Sequence, residues 1–120
     1  MCGLRPNFLV VGSGKCGSTW LHACLEEHEQ IFVPRKVKEV DYFSRHYERG
    51  ERWYLEHFRG GEEALAVGEI SPSYLSHDLA PERIVRDLGE CRLILLAREP
   101  VARAYSHYCM HLRGGFVTEK

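Results

Sequence analysis

Between residues 12 and 20 the chain reads Gly12-Ser13-Gly14-Lys15-Cys16-Gly17-Ser18-Thr19-Trp20, a loop of three glycines, three hydroxyls and one lysine. Glycines permit a tight turn, and a helix starting at Ser18 offers unpaired backbone N–H groups to an anion. The loop has the chemistry of a phosphate cradle. It is not an ATP loop of the G-x-x-x-x-G-K-[ST] type. Counted from Gly12, Gly17 and Thr19 fall in place, but Ser18 stands where the lysine belongs and Lys15 lies inside the loop. From there a lysine can reach over the loop, beyond a 5′-phosphate, without the magnesium arrangement of an NTPase.

A second constellation begins at Arg98, which ends an apolar run where an NTPase strand would end in a magnesium-binding aspartate. Its guanidinium fork suits a dianionic phosphate. Ser106 follows eight residues later, about two turns into the next helix. Alone, a helix-interior serine is unremarkable, and Arg103 has the ordinary reading of a solvated helix arginine. His107 and His111 have the i, i+4 spacing of two zinc ligands, but Tyr108 stands where a zincin needs glutamate, so no metal is expected. By composition Glu39, in the run Lys36-Val37-Lys38-Glu39, is simply a solvated charge.

Alternating strands and helices position these groups. Phe8-Leu9-Val10-Val11 is a short apolar run ending at glycine, the pattern of a buried parallel strand. From Ser18 a helix places Leu21, Cys24, Leu25 and His28 on one side. Ile31-Phe32-Val33 is a second strand candidate stopped by Pro34, and residues 52–59 read as a short amphipathic helix. There Trp53, Tyr54 and Phe58 have core spacing. Ala66 to Ile70 is a third strand, closed by Ser71-Pro72, and Pro81 to Leu88 is a helix with proline in its first turn. Leu93 to Ala97 is the strongest strand candidate, fully apolar, and leads into a helix over 101–112 that Gly114-Gly115 ends. The pattern predicts an α/β fold with a parallel sheet and ligands beyond the carboxyl ends of the strands.

With 120 residues, 44% hydrophobic and 28% charged, the chain has the composition of one small globular domain. A formal charge of -1 supplies no basic field, so nucleic acid is not the expected partner. The apolar run after Asn7 is too short for a signal peptide, and no stretch approaches the roughly 18 apolar residues of a membrane span. A cytoplasmic location is the expectation. Cys2, Cys16, Cys24, Cys91 and Cys109 are odd in number and lack C-x-x-C spacing, which predicts reduced, mostly buried thiols.

Lys15-Cys16-Gly17-Ser18-Thr19-Trp20 resembles the 5′-phosphosulfate loop, K-x-G-[ST]-T-W, of sulfotransferases that use 3′-phosphoadenosine 5′-phosphosulfate (PAPS). Arg98 to Tyr108 resembles the same family's 3′-phosphate motif. The resemblance implies a three-layer P-loop-like fold, with helices flanking the parallel sheet, and PAPS as co-substrate. Lys15, Cys16, Gly17, Ser18, Thr19 and Trp20 would bind the 5′ side, with Trp20 stacked on adenine, while Arg98 and Ser106 would share the 3′-phosphate. Lys15 would also stabilise the leaving phosphate.

Lys38-Glu39-Val40-Asp41-Tyr42-Phe43 resembles the K-E-x-x-[FY]-F segment of the family's Golgi carbohydrate branch, which makes Glu39 the general base, with Asp41 the weaker candidate. Glu69-Ile70-Ser71-Pro72-Ser73-Tyr74 resembles that branch's E-K-[ST]-P-x-Y, except that Ile70 replaces a lysine. Trp20 instead agrees with the cytosolic small-molecule branch, so the acceptor is a small molecule or a carbohydrate. The resemblance runs from Phe8 to Leu112 and corresponds to about the first half of a family catalytic domain, so the fold is expected to be incomplete and to self-associate. The competing readings are a P-loop nucleotide kinase or NTPase and a non-catalytic nucleotide-binding fragment.

Overall fold

Four segments rich in branched apolar residues pair as parallel strands, and helices fill the crossovers that parallel pairing requires. A computed structural model describes residues 4–116. Its elements are β1 (Phe8–Gly12), α1 (Ser18–Glu27), β2 (Ile31–Phe32), α2 (Glu51–Glu56), β3 (Ala66–Ile70), α3 (Ala80–Leu88), β4 (Arg92–Leu95) and α4 (Pro100–Arg113). The sheet order is β2-β3-β1-β4, all parallel. β1 is therefore central, with Phe8 opposite both Gly68 and Arg92. Gly68 is required there, since a Cβ would lie 2.3 Å from the Phe8 carbonyl oxygen.

Side chains alternate across β1 and divide the core in two. Leu9 and Val11 face a cluster with Val40, Tyr42, Phe43, Tyr54, Phe58, Tyr74 and Ile84, while Phe8 and Val10 face Val33 and Ile70. Leu21 and Leu25 of α1 cover the second cluster. Tyr42 stacks on Tyr54 at 4.5 Å, and Phe43 meets Tyr74 edge-on at 5.5 Å, geometries that add to simple area burial. The expected three layers are thus present, and the core role read for Trp53, Tyr54 and Phe58 holds, with Trp53 half-buried.

The structure corrects two expectations. On α1 the inward face carries Ser18 and His22 beside Leu21 and Leu25, while Cys24 is exposed and His28 is the C-cap. A 3.6-residue period puts 18, 21, 22 and 25 together and carries 24 round to solvent. Nor are the thiols mostly buried: Cys16, Cys91 and Cys109 are half-buried and Cys24 is exposed, all four free, and Cys2 lies outside the described residues.

The apolar run expected as a strand over Leu93 to Ala97 forms β4 over Arg92–Leu95, an edge strand whose Leu93 and Leu95 are each 59% exposed. α4 leaves Val101 and Tyr105 exposed and has no buried side chain among its described residues. No helix among the described residues is long and apolar enough to cross a membrane.

Candidate functional site

The mouth of the glycine loop is tied to the segment after β4. Leu96 N donates to Gly12 O at 2.7 Å, and Ser13 N donates to Leu96 O at 3.0 Å. The loop therefore sits beyond the carboxyl ends of the central strand β1 and the edge strand β4, and ligands bind beyond the carboxyl ends of strands in such sheets. Gly17 has φ +89° and is the N-cap of α1, with no side-chain cap and open space where a Cβ would project. An L side chain is strained at that φ, so glycine is needed to turn the loop into the helix. The first turn of α1 carries no acid, leaving its N–H groups and dipole for an anion. Cys16 is half-buried, with Sγ 3.0 Å from Ser13 Oγ. Lys15 is at φ +62° at the bend, and Trp20 is 71% exposed.

Arg98 Nη1 donates to the Lys15 carbonyl at 3.1 Å, bringing together the two motifs separated by 83 residues. Beyond it Glu99 caps α4, accepting from Val101 N at 2.9 Å and Ala102 N at 2.7 Å. Those backbone bonds hold the Glu99 carboxyl below its ordinary range. Ser106 lies half-buried two turns into α4 and makes no side-chain hydrogen bond among the described residues. His107 and His111 meet edge-on at 4.4 Å, and no group of three or more metal-ligating side chains occurs among the described residues.

The segment between β2 and α2 brings Lys38 and Glu39 to the loop. Lys38 Nζ donates to Thr19 Oγ1 at 2.7 Å and Ser18 Oγ at 3.4 Å, and lies 3.8 Å from Glu39 Oε1. Glu39 is exposed, whereas Asp41 is buried. Asp41 accepts from Ser73 Oγ at 2.6 Å, and its carbonyl accepts from Arg45 N at 2.8 Å. Its work is to fold the segment. Ile70, at the departure from the family's lysine, is fully buried in the core and supplies no polar group.

Two residues here have a weight that sequence reasoning missed. Lys38 stood in the K-E-x-x-[FY]-F segment without a task of its own. Glu69 was quoted in a motif without a task, although a lone acid in the strand Ala66-Val67-Gly68-Glu69-Ile70 is itself a signal. It is fully buried and accepts from Tyr54 Oη at 2.9 Å, Tyr74 Oη at 2.5 Å and Ser71 Oγ at 2.9 Å. Ser71 Oγ in turn accepts from Asp41 N at 3.0 Å, so Glu69 anchors the segment carrying Lys38 and Glu39. Burial pushes its carboxyl from 4.5 up to about 7, against the lowering effect of the three hydroxyl bonds.

An open groove of about 1100 Å³ lies elsewhere. Phe8, Ala66 and Arg92 line it at the amino-terminal ends of the strands, with Leu25 and Ile31 beside them. Geometry and chemistry favour the loop over this groove, which is open and has no convergent set of polar side chains.

A family model described as a sulfotransferase domain matches residues 5–116. The membrane-associated sulfotransferase kil1 of Dictyostelium discoideum is 39% identical over 106 residues, covering 86% of this chain and 22% of that protein. The human bifunctional heparan sulfate N-deacetylase/N-sulfotransferase 3 is 32% identical over 114 residues, covering 89% of this chain and 13% of that protein. A crystal structure of a sulfotransferase from Alicyclobacillus acidocaldarius superposes with TM-score 0.87 at 30% identity, over 98% of this chain and 54% of that one. The chain thus spans less than a quarter of these two curated relatives and about half of the bacterial structure. A match running through both the glycine loop and the Arg98 segment, on the fold that joins them, means that this chain belongs to the sulfotransferase domain family.

Proposed function

We propose that this chain carries the donor site of an enzyme that transfers a sulfonate from PAPS to a hydroxyl or amine. The observation that carries the reading is the Arg98–Lys15 contact, which puts the two phosphate motifs on one surface. In the reaction the sulfur leaves the bridging oxygen of the phosphosulfate as its bond to the acceptor oxygen or nitrogen forms, and adenosine 3′,5′-bisphosphate departs. Lys15 meets the charge growing on the bridging oxygen, and the N–H groups of Gly17, Ser18 and Thr19 hold the 5′-phosphate. Arg98 and Ser106 hold the 3′-phosphate, Trp20 stacks on adenine, and Glu39 takes the acceptor's proton. Catalysis rests on positioning and fixed charge, as in phosphoryl transfer. Similarity to proteins named as heparan sulfate N-sulfotransferases supports a carbohydrate acceptor, with its amine as the nucleophile.

Calorimetric titration with adenosine 3′,5′-bisphosphate tests the donor site. Binding is expected without divalent metal, and Arg98→Ala is expected to weaken it by about 1.5–3 kcal/mol, the cost of a lost charge-assisted contact. Undiminished affinity in that variant, or tighter binding of Mg-ATP, would remove the two-phosphate assignment.

The exposed β4–α4 face leads to a second expectation. The isolated 120-residue chain should self-associate through it, show nucleotide-dependent thermal stabilisation, and transfer little sulfonate. Sedimentation, melting curves and PAPS consumption over sugar, phenol and amine acceptors would check this. Robust turnover by a verified monomer contradicts it.

A further inference from the structure

In an NTPase loop the hydroxyl after the lysine holds magnesium, and the metal neutralises the phosphate oxygens. Counted from Gly12, that hydroxyl is Thr19 here. Its partner is an ammonium: Lys38 Nζ lies 2.7 Å from Thr19 Oγ1 and 3.4 Å from Ser18 Oγ. Two features make this more than a wandering surface lysine. The side chain is 32% exposed and sits beside Glu39 Oε1, so it is neither buried nor free. The backbone behind it is fixed, because Val40 is 1% exposed and Asp41 N is bonded to the buried Ser71 Oγ at 3.0 Å.

We infer that Lys38 is the resident cation of the phosphate loop, occupying the side of the loop where an NTPase carries magnesium and neutralising the 5′ group of the bound nucleotide. This rests on the sulfotransferase reading above. A donor carrying several negative charges needs more than one cation around the transferring group when no metal is supplied. Lys15 approaches from within the loop, and Arg98 is drawn to the Lys15 carbonyl. Lys38 approaches from the segment between β2 and α2, through hydroxyls that a phosphate oxygen can replace as its partners. Its ammonium also lies 3.8 Å from Oε1 of Glu39, the proposed base.

The test compares two probes on the wild type, Lys38→Met and Lys38→Arg: adenosine 3′,5′-bisphosphate, and adenosine 3′-phosphate, which lacks the 5′ group. Lys38→Met is expected to bind the bisphosphate about 10- to 100-fold more weakly and the 3′-phosphate as the wild type does. Lys38→Arg should restore most of the bisphosphate affinity, and added magnesium should leave the wild type unchanged. Melting temperatures near wild type in both variants confirm that binding and not folding is being read. Equal bisphosphate affinity in Lys38→Met overturns the inference, as does equal weakening for both probes or magnesium-enhanced binding by the wild type. A wild type that binds neither probe brings down the donor-site reading itself, and the inference with it.

Discussion

Replacing Lys15 with alanine is expected to slow sulfonate transfer by about 10²- to 10³-fold while weakening adenosine 3′,5′-bisphosphate binding far less. The split follows from where the charge appears. In the proposed site the N–H groups of the α1 first turn would already hold the ground-state nucleotide, whereas the bridging oxygen gains its charge only as the sulfur departs. A group placed over that oxygen acts on the transition state, and its loss falls on kcat. Lys15 is at φ +62°, so its backbone already accepts the unusual conformation that alanine would inherit, and the comparison isolates the ammonium. Single-turnover rates and product affinities, measured on a preparation that turns over, check the expectation. Equal losses in both would make Lys15 a binding group only.

The second large effect concerns Glu69. Its folded-state pKa of about 7 lies above the ordinary 4.5 because burial penalises the charge. Below pH 4.5 the carboxyl is protonated in folded and unfolded chains alike, and its contribution to stability is fully present. As pH rises towards 7 the unfolded chain ionises first, so stability is lost, and above 7 the loss is complete. The difference corresponds to roughly 3 kcal/mol. Glu69→Gln keeps an acceptor for Tyr54 and Tyr74 but cannot ionise. Chemical denaturation at pH 5 and pH 8 should therefore show the wild type losing about 2–3 kcal/mol more than Glu69→Gln over that interval. Identical losses in the two proteins would refute the assignment. Glu69→Ala strips the acceptor from three buried hydroxyls, at about 1–3 kcal/mol each, and is expected to unfold the chain outright.

Local chemistry made the donor motifs legible. The glycine–hydroxyl–lysine loop and the arginine ending an apolar run are short stretches whose backbone geometry follows from residue type, and β3 runs from Ala66 to Ile70 as its pattern predicts. α1 was legible as a helix but not in its facing, since Cys24 and His22 differ by only two residues and the cluster of Val10, Val33 and Ile70 decides which side is inward. β4 shows the same limit in another form. Its apolar run announces a strand, but whether that strand is covered depends on neighbours outside it, and in this chain it is an edge.

By itself, then, the sequence determined the class of fold, the glycine loop and the residue types at the proposed donor site, because each depends on interactions within a few residues. Only the tertiary structure decided what crosses the sheet. It set Arg98 against the Lys15 carbonyl, Lys38 against Thr19, and Glu69 beneath the Ser71–Asp41 anchor. Those contacts join residues 83, 19 and, for Ser71 and Asp41, 30 positions apart. No local pattern encodes them, since they exist only when parallel pairing of β1 with β3 and β4 brings the carboxyl ends of the strands to one edge.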